Sequence, residues 1–290
     1  MPKFPNNPRV LKAKLTSYEI FAGIARAIQL VAFARLKKLK KKIDSRFVSL
    51  RFVKSLLKNY YSIESNSDYQ YCLVIPFTSD KSCCGSINNP ILNYTTKFLE
   101  NLKEKDIVIS ITTVGRKGYN FLKRRYRGEI SYYLYDLELE MSLLTTSYFL
   151  LEKLSKKKYN QGYLIFAQFI NNFMQKIVFC KFPSYSNFVS SIIRDQRESN
   201  LILDVFLEKN IEDKSFLKDA YFFFMSLLIL DSFEESEYSQ LGAKAKTMEN
   251  ALQNVTDTIV YLRIKYNKSR QAIITNEIIE ILNASVAILE

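Results

Sequence analysis

The chain has 290 residues, is 48% hydrophobic and carries a formal net charge of +13, with four cysteines and no histidine. That length and composition allow a packed domain of ordinary size plus something extended, and exclude a disordered or fibrous chain. Without histidine there is no His-based nucleophile or base, and Cys72, Cys83, Cys84 and Cys180 form no CxxC pair, so the usual zinc patterns are not made. Neighbouring Cys83 and Cys84 are poor disulfide partners and fit a reducing compartment. The positive charge asks for an anionic partner: nucleic acid, lipid headgroups or an acidic protein surface. It is clumped in Lys37, Lys38, Lys40, Lys41 and Lys42, in Arg116 to Arg127, and in Lys156 to Lys158. The longest apolar run, Ala220 to Leu230, is about half of what a bilayer needs, so no membrane span is expected and the chain reads as soluble.

In chain order, the first nine residues hold three of the six prolines and read as a short extended lead-in, with Asn7 and Pro8 as N-cap and first helical position. From Val10 to about Tyr61 there is no proline. Apolar residues recur at alternating steps of four and three from Leu11 through Leu15, Tyr18, Ala22 and Ala25 to Tyr60, broken only by Gln29 and Arg46. This is a heptad seam. One helix of about fifty residues would be about 75 Å long, so it must reach beyond a globular domain.

The period then changes. Tyr71 to Phe77 is a short buried strand, Asn89 to Lys105 a helix, and Ile107 to Val114 a second strand. Gly115 to Arg127 reads as a turn and a basic helix, and Leu137 to Leu154 as a further helix. Tyr163 to Ile170 and Lys176 to Phe182 read as strands joined around Asn171 and Asn172. Strands alternating with helices imply a small, mainly parallel α/β domain. Ser184 to Glu237 is expected to be mostly helical, strongest over Phe216 to Phe233, with a possible continuation into the last helix.

Ser239 to Glu290 has no proline and one glycine, Gly242. Its seam runs Leu241, Ala245, Met248, Leu252, Val255, Ile259, Leu262, Tyr266 and most economically pairs, antiparallel, with the N-terminal helix. At Arg270 consecutive steps of four interrupt the alternation, a stutter that locally unwinds a supercoil. Beyond it Ile278, Ile279, Ile281, Leu282, Val286, Ile288 and Leu289 surround the helix on nearly all sides, as expected of an unpaired apolar spindle that something encloses. The expected division is therefore 1–61, N-terminal coiled-coil helix; 62–210, α/β domain; and 211–290, C-terminal coiled-coil helix.

Chemistry is sparse. There is no GxxxxGK[ST]; Gly115-Arg116-Lys117-Gly118 lacks the length and hydroxyl of a phosphate loop and reads as a surface turn. Asp136, Glu138 and Glu140 recur at every second position, which on a helix scatters them over different faces, and they read as solvated charges rather than an acid–base pair. Lys37 to Lys42 could follow a DNA backbone, but the seam runs straight through them instead of following them, unlike a basic zipper. A coiled-coil scaffold or nucleic-acid-binding protein with an α/β head is the alternative to the reading that follows.

Four segments carry a family resemblance. Ile24 to Leu36 (IARAIQLVAFARL) resembles the N-terminal helix of the γ subunit of F-type ATP synthases, and Ser79 to Asn88 (SDKSCCGSIN) that family's Asp-Arg-Gly-Leu-Cys-Gly-Gly-Leu-Asn segment. Val114 to Gly118 is similar to its Gly-Lys-Lys-Gly turn, and Tyr266 to Glu277 (YNKSRQAIITNE) to its C-terminal signature. Ser82, Ser86, Ile28, Lys244 and Ala245 stand where the family carries other residues. The resemblance implies an antiparallel coiled-coil shaft with an inserted small α/β, Rossmann-like domain at its foot. The shaft would stand inside a ring of three α and three β subunits, the foot beside the small central-stalk subunits and the membrane c-ring. Catalysis would belong to other subunits, and no cofactor, metal or nucleic acid is expected. By the same resemblance Arg26 and Ile28 face β, Arg270 and Gln271 engage a loop of β, and Thr275 and Glu277 share that part of the helix. The chloroplast form's two-cysteine insertion has no counterpart, which points to the matrix side of a mitochondrial inner membrane, or to a bacterial inner membrane.

Overall fold

The computed structural model describes residues 7–56, 70–81, 83–136, 143–171, 174–195 and 214–289. In chain order the elements are α1 (Pro8–Leu56), β1 (Tyr71–Pro76), α2 (Asn88–Glu104), β2 (Val108–Val114), α3 (Arg116–Leu122), β3 (Ile130–Leu134), α4 (Leu143–Ser155), β4 (Gln161–Asn171), β5 (Met174–Pro183), α5 (Tyr185–Asp195) and α6 (Lys214–Leu289). Two compact units are present: residues 1–33 with 245–290, and residues 34–244.

The first unit is a helix pair, and its burial follows the heptad seam. In α1, Leu11, Ala25 and Ala32 are buried, and Leu15, Tyr18, Ala22 and Gln29 are half-buried. In α6, Ala245, Met248, Val255 and Leu262 are buried, with Leu252, Ile259 and Tyr266 half-buried. The exposed pair Glu19–Arg263 (3.1 Å) fixes the level. With the two helices antiparallel, the start of α1 at Pro8, eleven residues before Glu19, lies level with Ile274, eleven residues after Arg263. Small seam residues of α1 thus meet large ones of α6: Ala25 lies level with Asp257, between Val255 and Ile259.

The second unit is a five-stranded sheet ordered β3-β2-β1-β4-β5. β1 pairs in parallel with β2 and β4, β2 with β3, and β5 closes the far side antiparallel to β4. β1 reads YCLVIP because both its faces are covered, as parallel strands require. Leu73, Ile75 and Phe77 point to a core built with Leu150 and Leu154 of α4, Phe188 of α5, and Tyr221, Met225 and Phe233 of α6. Cys72 and Val74 point to the opposite core, with Ile91 and Leu99 of α2 and Leu122 of α3. Burial alone pushes the Cys72 thiol up to about 12. The hairpin β4–β5 also grips α6: the Gln175 side chain donates to the Ser239 carbonyl at 3.1 Å, Phe169 meets Tyr238 edge-on, and Gly242 admits the Phe169 ring where a Cβ would lie 2.4 Å away.

The expected strands and the mainly parallel sheet are present, with three differences. β3 was not among the expected strands. The basic helix after Gly115 stops at Leu122, followed by turns. Asp136 is not on a helix: it follows β3 with φ 51°, in the left-handed region, and its N–H is held by Asp80. Glu138 and Glu140, the turn residue Asn172, and the segment 196–213 lie outside the described residues. The last helix starts at Lys214 and runs unbroken for 76 residues.

Candidate functional site

The sequence offers two places to look: the loops above the carboxyl ends of β1 and β2, where open α/β sheets hold ligands, and the distal part of the helix pair.

Above the sheet the loops are closed on themselves. Thr78, buried just after β1, donates through Oγ1 to the Val114 carbonyl (2.7 Å) and accepts the Gly118 N–H (2.9 Å). Gly115 has φ 92°, and a Cβ there would lie 2.1 Å from the Thr78 carbonyl oxygen, so the turn wraps Thr78 with no room for a side chain. Asp80 accepts the Arg116 N–H at 2.9 Å on Oδ1 and the Asp136 N–H at 2.8 Å on Oδ2, while the Arg116 guanidinium pairs with the Asp136 carboxylate. Ser79 and Asn88 bond each other twice: the Ser79 N–H donates to Asn88 Oδ1 (2.9 Å) and Asn88 Nδ2 donates to Ser79 Oγ (2.8 Å). The Gly118 and Arg116 N–H groups that would hold a phosphate are spent on Thr78 and Asp80, so Gly115 to Gly118 is a turn. Among the described residues no group of His, Cys, Asp and Glu could hold a metal ion.

A cleft of about 360 Å³ opens at the other end of the sheet, lined by Tyr71, Lys158, Tyr159, Asn160, Ser184 and Tyr221, among others. Tyr159 and Tyr221 share a hydrogen bond of 3.0 Å, and Tyr221 donates to the Pro183 carbonyl (2.9 Å). Burial pushes the Tyr159 phenol up to about 12, against the opposing pull of Tyr221. These hydroxyls satisfy one another and the backbone, which is structural work.

The helix pair is where the sequence-predicted residues lie. Arg26 is exposed on α1 and Ile28 is half-buried beside the seam. Arg270, Gln271, Thr275 and Glu277 are all exposed on α6, and the Thr275 hydroxyl donates to the Gln271 carbonyl at 2.9 Å, turned back onto its own helix. The level set by Glu19 and Arg263 puts Arg26 opposite Thr256, fourteen residues before Arg270, or about 21 Å along the axis. The two groups are thus separate places on one shaft.

Between them the character of α6 changes. Among the described side chains Ser269 is the last half-buried one, and every one from Arg270 to Ser285 is exposed. Ile273, Ile274, Ile278, Ile279, Ile281 and Leu282 are among them, Ile281 at 68% exposure. A helix that leaves this much apolar surface uncovered is built to be covered by something else.

Residues 7–288 match the family described as ATP synthase. The ATP synthase gamma chain of Geobacter metallireducens is 27% identical over 295 residues, covering 96% of this chain and 97% of that one. The gamma chain of Rickettsia akari is 25% identical over 292 residues, covering 96% and 98%. Among solved structures, a chain of the Euglena gracilis mitochondrial ATP synthase OSCP/F1/c-ring assembly superposes with a TM-score of 0.79 at 20% identity, covering 97% of this chain and 94% of that one. A chain of the Tetrahymena thermophila mitochondrial ATP synthase central stalk and c-ring gives a TM-score of 0.62 at 19% identity, covering 79% and 99%. The structural likenesses carry the fold, and the family match spans both compact units.

Proposed function

The chain belongs to the ATP synthase γ-chain family, and on that premise we propose that it is the central rotor shaft of an F-type ATP synthase. It couples proton-driven rotation of a membrane c-ring to ATP synthesis and hydrolysis at the β subunits of a ring of three α and three β, and is itself non-catalytic. The observation that carries this reading is the change at Ser269, where a helix with a buried seam becomes one whose described side chains are all exposed, six large apolar ones among them. A sleeve of subunits around residues 270–285 supplies the missing cover. Ile20, Phe21, Ile24, Leu30, Val31 and Phe33, exposed on α1, extend the same demand along the shaft.

Torque requires a shaft stiffer than the contacts it drives. Each large side chain buried in the seam contributes roughly 1.5–3 kcal/mol, repeated layer by layer. A shaft with different faces then gives each β subunit a different contact, and turning it exchanges their nucleotide affinities in sequence. Arg26 and Ile28 contact β at one level, and Arg270, Gln271, Thr275 and Glu277 engage it at another. The α/β unit is the foot, meeting the c-ring and the small central-stalk subunits. No described helix is long and apolar enough to cross a membrane, which fits a peripheral subunit; we place it at the matrix side of a mitochondrial inner membrane, with a bacterial inner membrane as the alternative.

The test is Arg270→Ala combined with Gln271→Ala in the assembled synthase. Coupled ATP synthesis is expected to fall while the complex still assembles; unchanged synthesis removes the assignment of these residues. Purification of the chain with a nucleotide-binding hexamer and a membrane ring supports the rotor. A lone chain that binds DNA with steep salt dependence overturns it.

A further inference from the structure

β3 ends the sheet, and among the described residues no strand pairs with its outer edge. The Gly115 N–H donates to the Leu134 carbonyl at 2.8 Å, so the peptide groups of Leu134 face β2 and those of Tyr133, one residue earlier, face outward. An open row of this kind is a template for another strand.

What borders that edge narrows the partner. Tyr119 of α3 stacks on Tyr133 at 4.0 Å and 13°, and Tyr133 on Tyr135 at 4.9 Å and 21°. The Lys123 ammonium lies 5.1 Å from the Tyr119 ring centre and the Arg116 guanidinium 5.0 Å from that of Tyr135. Both faces of Tyr133 are therefore occupied and a cation covers each end ring, leaving no free face on which a nucleobase could stack. The ladder is also fixed in place, because Asp80 holds the backbone N–H groups of Arg116 and Asp136 at either side of it.

Residues 115–128 contain Arg116, Lys117, Lys123, Arg124, Arg125 and Arg127 and no acid. Arg125 pairs with Glu100 and Arg116 with Asp136. Among the described residues Lys117, Lys123, Arg124 and Arg127 are the four cations of this run left without a carboxylate. They repel a second copy of it and attract carboxylates.

We propose that the outer edge of β3 docks an acidic, extended segment of another protein, which adds as a strand beside Tyr133 and is selected by the basic run 116–127. The backbone supplies the pairing beyond the register shift that β3 makes against β2 between Ile130 and Tyr132, the cations select the charge, and the stacked tyrosines flank the edge. This site is independent of the helix pair, so its failure leaves the rotor reading untouched.

The test uses the full chain and a labelled peptide of alternating glutamate and valine, with a lysine–valine peptide as control. Fluorescence anisotropy is expected to show the acidic peptide binding and the basic one not. Hydrogen exchange at residues 130–135 should slow when the acidic peptide is bound. Arg124→Glu with Arg127→Glu, both exposed, should weaken binding by about tenfold or more while leaving the thermal transition in place. The proposal is overturned if the peptide binds without slowing exchange in β3. It is equally overturned if the double variant binds as well as the parent, or if the same arginines prefer phosphatidylserine vesicles or poly(dT) to the peptide.

Discussion

Glu19 and Arg263, 244 positions apart in the chain, are joined by a hydrogen-bonded ion pair of 3.1 Å. The pair sets the level of α1 against α6, but both side chains are largely solvated. Each single change, Glu19→Ala or Arg263→Ala, should cost about 0.2–1 kcal/mol. A denaturant-melt double-mutant cycle should return a coupling of that size, shrinking in high salt.

Ala25 and Ala32 hold the helices close, each almost fully buried. Ala25→Leu forces extra methylenes between Val255 and Ile259 and should cost about 1–3 kcal/mol. Ile278→Ala, on the uncovered part of α6, should change the stability of the isolated chain by less than about 0.5 kcal/mol. Thermal melts of the two variants separate shaft packing from spindle surface.

Gly242 has a testable sign reversal. In a free helix Gly→Ala stabilises by up to about 1 kcal/mol, yet here the new Cβ meets the Phe169 ring at 2.4 Å. Gly242→Ala should therefore destabilise by about 1–3 kcal/mol. In a Phe169→Ala background the same substitution should become neutral or stabilising, read by urea titration.

Thr78 is the peg of the loop cluster. Thr78→Val leaves the Gly118 N–H without an acceptor and should cost about 1–3 kcal/mol, whereas Thr78→Ser keeps both bonds and should cost less. Gly115→Ala adds left-handed strain and a clash with the Thr78 carbonyl, and should be the most damaging of the three in chemical denaturation.

Burial raises both Cys72 and Tyr159 to about 12 from ordinary values of 9.0 and 10.0. Folding favours the protonated form of each, so their contribution is fully present below pH 9 and is lost as pH rises towards 12. The loss has a slope of about 1.4 kcal/mol per pH unit per group. Alkaline unfolding of Tyr159→Phe should be shallower between pH 10 and 12. Near neutral pH a maleimide should label the exposed Cys83 and leave the buried Cys72 unreacted until the protein unfolds.

The helix pair was legible in the sequence because a seam is a local, repeating signal. The seam positions from Leu11 to Ala32 and from Ala245 to Tyr266 are the buried and half-buried ones, and the stutter at Arg270 falls beside Ser269, where burial ends. The buried strands β1, β2 and β4 were legible for the same reason, as apolar runs between turns. What only tertiary structure decided depended on partners distant in sequence. ISYYL carries the β-branched and aromatic residues of an ordinary strand, and what only tertiary structure decided is its place, in parallel beside the free edge of β2. Asp136 read as a solvated charge on a helix, and it is held in a left-handed turn where Asp80, 56 positions earlier, accepts its N–H. Periodicity records which face of an element is buried; it does not record which backbone groups elsewhere still need a hydrogen bond, and those fixed the loops above the sheet and the open edge of β3.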